Sequence, residues 1–330
     1  MAVKIKNTGD LNEEKWNSLL EHAPHSTVYH TKTWSEVWEK SYPGSHSFFL
    51  ICVDEKGDYL AGFPVWQRER FGLKSFFSMP FGTYGGLVTK KDQHENSFLS
   101  IYEELKRMFQ GVNTLGAHIV DFFCADRYLE DMGFSCTRHN THLIHLDRID
   151  ENDYMKFFAK KRREGIRQSR RRRVKVREVG SSEDTKRCYQ LLLDTWQRHD
   201  LKSAKYPAVL FDNIFLLMGK SSLLKWFVAL MDEKIIGSLV NFVFKDTLYA
   251  WEMGADFKEL NARPNDALFM ESILWAKKNG LKFFNFGATP EAAEGMTRFK
   301  ESWGAEKREY LIFEKKKRLG RIVEKMRRVS

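Results

Sequence analysis

One strand–turn–strand pattern occurs twice in this chain. FFLICVDEKGDYLAGFPVW (48–66) and WFVALMDEKIIGSLVNFVF (226–244) each run apolar strand, Asp-Glu-Lys, apolar strand. Downstream of each lies a helical stretch, ENSFLSIYEELKRM (95–108) or NDALFMESILWAKK (265–278), then an apolar strand, HIVDFF or LKFFNF. LEDMGF (129–134) and ESWGAE (301–306) follow in the same order, and each leads into a final strand, THLIHL or REYLIF. A shared order at a near-constant offset marks an internal duplication. A hairpin followed by a β-α-β unit in each half predicts an α/β (α+β) fold of two domains, with mixed sheets flanked by helices. With 330 residues two domains are the default. The boundary falls near Asp147–Asp153, giving 1–150 and 151–309.

Local signals fill in the halves. A short helix spans Asp10 to Leu20, capped by Asp10 or Asn12, and a second spans Thr33 to Lys40 with Trp34, Val37 and Trp38 on one face. The second half opens with one long basic helix from Asp153 to about Arg172, followed by a helix from Glu183 to about His199. Arg263-Pro264-Asn265-Asp266 is a turn before a helix over Ala267–Asn279. Asn265 can cap that helix and Gly280 ends it.

Charge is uneven. Between Lys160 and Arg177 eleven basic residues face Glu164 alone, and between Lys315 and Arg328 eight face Glu324 alone. The formal charge is +10, so the rest of the chain is net acidic. This disfavours a generic sticky cation and points to a local partner carrying phosphates or an anionic surface. Arg163, Arg167, Arg170 and Arg171 are the candidate phosphate ligands. With no aromatic interleaved, backbone neutralisation is expected and base stacking is not. KKKRLGRIVEKMRR at the end reads as a basic amphipathic helix with Leu319, Ile322, Val323 and Met326 on one side. It suits either the first domain or an anionic membrane.

Cys52, Cys124, Cys136 and Cys188 form no CxxC pair, so neither a disulfide framework nor a zinc site is expected. His139, His142 and His145 are a poor metal set, and no cofactor is called for. No apolar run reaches membrane-spanning length and the N-terminus lacks an apolar core, so a cytoplasmic protein is expected, with contact to the inner membrane face open.

The order S-L-V, L-Y-A-W, P-N, W-A-K-K-N-G, F-N-F-G and R-F-K-x-x-W-G-A in the second half resembles the Fem-type aminoacyl transferases and the BioF2-like, GNAT-like acyltransferases. Val28-Tyr29-His30, Trp34, Val37-Trp38 and the basic stretch KRREGIRQSRRRRVKV are similar to the same family. The resemblance covers nearly the whole chain. It implies two tandem GNAT-like domains, with 310–330 returning to the first. It implies amide formation by attack of an amine on an activated acyl group, from aminoacyl-tRNA in the peptidoglycan branch.

The family's late Phe-Lys falls on Phe299-Lys300, which makes Lys300 the catalytic candidate, stabilising an oxyanion or holding the tRNA end. Out of that context it reads as an ordinary solvated lysine. Arg298 is the adjacent substrate contact. Lys205 and Tyr206 lie where relatives bind acceptor phosphate. Asp121, at a strand of the first half, is a candidate amine ligand. Tyr249 and Trp251 alternate onto one strand face, with Glu252 on the other.

Two departures matter. Trp38 stands where the peptidoglycan enzymes place a phosphate-binding Lys, which counts against a UDP-linked precursor. The loop 263–267 lacks the glycines that cradle a CoA pyrophosphate, and Asp266 repels phosphate.

Three readings compete. The first transfers an aminoacyl group from aminoacyl-tRNA to a small or lipid-linked amine of a peptidoglycan, exopolysaccharide or other cell-envelope precursor. The second uses an acyl-CoA or acyl-carrier donor. The third is a non-catalytic RNA- or membrane-binding module.

Overall fold

The computed structural model describes residues 2–80, 83–90, 96–121, 127–150, 152–199, 201, 203–318, 320 and 321. Its strands are β1 (Ala2–Asn7), β2 (Ser45–Val53), β3 (Tyr59–Arg70), β4 (Leu73–Phe77), β5 (Val88–Thr89), β6 (Thr114–Asp121), β7 (Ser135–His145), β8 (Lys175–Glu178), β9 (Leu224–Met231), β10 (Lys234–Phe244), β11 (Thr247–Ala255), β12 (Phe283–Thr289) and β13 (Glu306–Lys316). The helices are α1 (Glu13–His22), α2 (Lys32–Ser41), α3 (Asn96–Gln110), α4 (Arg127–Asp131), α5 (Tyr154–Phe157), α6 (Lys160–Arg171), α7 (Ser182–Arg198), α8 (Ala208–Asn213), α9 (Pro264–Lys278) and α10 (Glu294–Glu301). Contacts divide the chain into one unit of Met1–His139 with Glu309–Ser330, and another of Asn140–Arg308.

In the first unit the strand order is β1-β2-β3-β4-β6-β13, with β5 on β3. Among its described strands β4 and β6 are the parallel pair, and α3 leads into β6. In the second unit the order is β8-β9-β10-β11-β12-β7. Only β11 and β12 are parallel, and α9 connects them. The two orders correspond strand for strand, each with its parallel pair in the same place.

The final strands are exchanged relative to the sequence expectation. The first unit ends with Leu311–Lys316 of β13, antiparallel to β6. The second takes THLIHL, from Thr141 on, against β12. An amphipathic strand of either half offers the same alternation, so periodicity alone does not say which sheet it completes.

The matching Asp-Glu-Lys triplets serve different turns. Asp54 accepts from the backbone N–H of Lys56 and Asp58, closing a loop with Gly57 at φ +78°. Asp232 and Glu233 instead form a two-residue turn at φ +48° and +61°, the primed geometry tight hairpins favour.

The long basic helix is broken. α5 stops at Phe157, and α6 begins at Lys160. Between them the Ala159 N–H donates to Ser302 O, and Phe158 is buried edge-on against Trp303 at 5.1 Å. Burial of this large ring overrides continuous helix propensity. α1 begins at Glu13, one residue after Asn12, whose side chain caps it. α9 begins at Pro264, so Asn265 lies inside the helix. Its N-cap is Arg263, in the left-handed region at φ +61°.

The first core holds Trp38 in edge contact with both Trp34 and Trp66, and Trp16 on Phe49. Trp38 is fully buried there. The second core gathers Ile166, Leu239, Leu268, Phe284 and Trp303. In the terminal basic segment Lys315 donates to Met132 O, and Lys317 to Gln110 O and Gly111 O at the end of α3. Those two lysines satisfy backbone carbonyls. Leu319, Ile322, Val323 and Met326 lie outside the described residues. Among the described residues no helix is long and apolar enough to cross a membrane.

Candidate active site

The site lies in the second unit, where β12 leaves its neighbour. β11 and β12 pair only over Thr247–Tyr249 and Phe283–Asn285. β12 then bulges against β7 between Asn285 and Ala288. Buried Asn285 holds the bulge: its Oδ1 accepts from the Gly287 N–H at 2.8 Å and from the Thr141 hydroxyl at 2.9 Å. Gly287 has φ +74°, and a Cβ there would stand 3.2 Å from Ala250 O.

Beyond the bulge, Lys300 of α10 donates from Nζ to Gly287 O at 2.8 Å, to Ala288 O at 2.9 Å and to Thr289 Oγ1 at 2.9 Å. Lys300 is only 5% exposed. Burial without a carboxylate partner pulls its pKa down from 10.5 to about 7. Thr289 Oγ1 in turn lies 2.9 Å from His142 Nδ1. His142 is 1% exposed and its Nε2 has no hydrogen-bond partner. Burial, then the positive charge of Lys300, lowers the His142 pKa, with Glu301 opposing and Lys307 adding to the shift.

Thr289 and His142 line a cavity of about 300 Å³, together with Asn140, Glu294, Arg298 and Lys307. The cavity therefore offers charge of both signs beside a buried lysine–threonine–histidine chain. Lys300 is fully engaged, with three acceptors for three ammonium protons. It stands behind Thr289 and is buried, unlike the ordinary solvated lysine it resembles outside its motif.

The remaining candidates fall into separate places. Arg298 lines the cavity and pairs with Glu294 at 3.1 Å. Lys205, Tyr206 and Trp251 form a second cluster. Tyr206 stacks on Trp251 at 5.1 Å, and Lys205 lies 2.6 Å from Glu252 and 4.8 Å above the Tyr206 ring. Simple alternation fails here. Val240 faces Glu252 while Asn241 faces Ala250, so Trp251 is the extra residue of a β-bulge. Trp251 and Glu252 thus both reach the Lys205–Tyr206 pair. Tyr249 is buried, bonded to Thr247, with its hydroxyl pKa pushed up by burial. Asp121 is buried at the end of β6 in the first unit, against the backbone of Gly86.

The basic run is not uniformly solvated. Arg162 is buried, 2.7 Å from Asp266 Oδ1, with its guanidinium 5.0 Å above Phe299 and 5.8 Å from Trp303. Arg263 approaches the other carboxylate oxygen at 3.0 Å. The N-terminal turn of α9 is therefore occupied by its own carboxylate and covered by α6. Gly165 permits the approach, since a Cβ there would meet Asp266 Oδ2 at 2.3 Å. Arg163 donates to Phe158 O and Arg170 to the Tyr154 hydroxyl. Arg167, Arg170 and Arg171 are exposed along the helix.

Sequence reasoning missed Arg162, Asn285 and Thr289, and weighed His142 only as a metal ligand. His145 packs on Phe283 and His139 on Tyr310. Among the described residues no group of three His, Cys, Asp or Glu could hold a metal ion. No spacing pattern marks the missed residues: a strand bulge brings Asn285 and Thr289 to the site, and the packing of α6 on α9 buries Arg162.

Residues 160–301 match the family model of the acetyltransferase (GNAT) domain. No curated protein matches the sequence. Among solved structures the chain is similar to FemX, at 11% identity and TM-score 0.72, over 94% of this chain and 97% of that one. L-PGS from Bacillus licheniformis is similar at 16% identity and TM-score 0.58, over 93% of each. A tandem GNAT protein from the clavulanic acid biosynthesis pathway matches at 9% identity and TM-score 0.59, over 96% and 98%. The chain has the tandem GNAT fold, and the domain match together with that fold supports an acyltransferase.

Proposed function

We propose that the chain transfers an aminoacyl group from aminoacyl-tRNA to an amine of a cell-envelope precursor, of the peptidoglycan or exopolysaccharide kind, forming an amide. The observation that carries this reading is buried Lys300, bonded to Thr289 at the wall of a cavity lined by Glu294, Arg298 and Lys307. In the reaction the amine attacks the ester carbonyl and negative charge develops on its oxygen. A cation held in a low-dielectric site stabilises that charge. Lys300 supplies it from behind Thr289, as a buried positive charge at the cavity wall. The mixed charges of Glu294 and Arg298 suit the ammonium and polar groups of an aminoacyl ester.

The choice of donor rests on two observations. The N-terminal turn of α9, where a CoA pyrophosphate would sit on backbone N–H groups, already holds the Asp266 carboxylate. Arg167, Arg170 and Arg171 on α6 instead offer an exposed row of cations for a nucleic-acid backbone, and Arg163 flanks them. Lys205, Tyr206, Trp251, Tyr249 and Asp121 remain candidates for acceptor contact. A lipid-linked acceptor implies work in the cytoplasm at the inner, anionic face of the membrane.

The test uses the whole protein with labelled aminoacyl-tRNA and, separately, labelled acetyl-CoA, each with an extract of envelope precursors. Amide label from the tRNA alone is expected. Label from acetyl-CoA alone would replace this reading with the thioester one. Label from neither, with retained tRNA binding, would leave a binding module.

A further inference from the structure

The Lys300–Thr289–His142 chain has two self-consistent hydrogen-bond arrangements, and they differ at His142 Nε2, a buried atom of a ring at the cavity wall. With Lys300 protonated, its three N–H bonds go to Gly287 O, Ala288 O and Thr289 Oγ1. The Thr289 O–H then donates to His142 Nδ1, so the ring hydrogen sits on Nε2. With Lys300 neutral, two N–H bonds keep the two carbonyls and the amine lone pair accepts from the Thr289 O–H. Thr289 Oγ1 then accepts from His142 Nδ1–H, and Nε2 carries a lone pair. Every donor and acceptor of the chain apart from His142 Nε2 is satisfied in both states. The one free end is His142 Nε2, on a buried ring of the cavity wall.

We infer that these three residues form a proton relay, in which the charge state of Lys300 sets whether His142 Nε2 acts on the cavity as acid or as base. The inference rests on the transfer reading for its purpose and on the hydrogen-bond geometry for its operation. In the neutral state Nε2 accepts a proton from the attacking amine as the new C–N bond forms. His142 Nδ1–H passes to Thr289, and the Thr289 proton passes to the Lys300 lone pair. The relay then stands in its charged form with Nε2–H facing the tetrahedral intermediate. When the C–O bond to the donor breaks, Nε2 returns that proton to the departing oxygen and the chain runs back. No proton is gained or lost over the cycle.

Other charges face the relay. Glu301 raises and Lys307 lowers the pKa of the ring, and Glu294 and Arg298 line the cavity. The Lys300 pKa of about 7 places its change of charge near neutrality, and burial lowers the His142 pKa as well.

The test reads the tautomer directly. In protein labelled with ¹⁵N-histidine, long-range ¹H–¹⁵N spectra report which ring nitrogen of His142 carries hydrogen. From pH 6 to 9 the hydrogen is expected to move from Nε2 to Nδ1, with a midpoint near 7. Lys300→Arg, always charged, is expected to hold Nε2–H at every pH, and Thr289→Val to uncouple the ring. A tautomer that does not change with pH in the wild type overturns the relay, as does a change that persists in Lys300→Arg. Should Lys300→Arg fail to fold, Thr289→Val carries the same decision: a persisting switch there overturns the relay. The spectra need no substrate. Failure of the transfer reading therefore leaves a switching tautomer without product, and failure of the relay leaves product without a switch.

Discussion

Arg162 and Asp266 meet at 2.7 Å inside the second unit, each less than a tenth exposed, with Phe299 stacked 5.0 Å from the guanidinium. This contact links α6, α9 and α10. It gives Phe299 and Trp303 of the R-F-K-x-x-W-G motif a physical task, which is to cover the buried Arg162 guanidinium.

Breaking the pair leaves Arg162 buried without its counter-charge. Asp266→Ala is expected to lose about 3–5 kcal/mol of stability in urea unfolding. The double variant Arg162→Met with Asp266→Leu should recover most of that loss, because an apolar pair of similar volume has no desolvation to offset. A double variant as unstable as the single would contradict the account of this contact.

Gly165 tests the packing of α6 on α9. An added Cβ would stand 2.3 Å from the Asp266 carboxylate. Gly165→Ala improves helix propensity, so an exposed site would gain stability. Here a loss of about 1–3 kcal/mol is expected from overpacking, measured by the urea midpoint.

Lys300 makes stability depend on pH. Its pKa is about 7 folded and near 10.5 unfolded, so between these values the unfolded chain binds more protons. Stability contributed by this group therefore rises with pH across that window, by up to about 1.4 kcal/mol per pH unit. It is flat below pH 7, where both states are charged. Lys300→Met should lack the rise, which urea titrations at pH 6.5, 8 and 9.5 would reveal as parallel or diverging curves.

The exposed arginines of α6 predict a salt signature. Replacing Arg167, Arg170 and Arg171 together by Glu should weaken tRNA binding across sequences. The slope of log K against log salt should fall by about 1 for each phosphate no longer neutralised. Filter binding at several salt concentrations checks this, with Lys278→Glu on α9 as a control expected to change little.

The sequence carried the architecture well because apolar periodicity is local. Both hairpins, the Pro264-led helix and the second parallel strand pair follow from residues close in the chain. Three features depend on distant contacts and were not legible. THLIHL completes the sheet of the second unit, a choice made by the edge that β12 offers. Trp251 is a bulge residue, which turns it and Glu252 to the same neighbours. Lys300 and Arg162 look like surface cations in sequence but are buried by folds of the chain that only the strand bulge and the break at Phe158 create.

The central claim is acyl transfer from tRNA at the Lys300 site. The most direct measurement follows labelled aminoacyl groups on bulk tRNA in single turnover with envelope precursors, comparing the wild type with Lys300→Met. The account predicts conversion of the base-labile ester into a stable amide, slowed about 10²-fold or more in the variant. Equal rates for the two proteins, or amide formed only from acetyl-CoA, would contradict it.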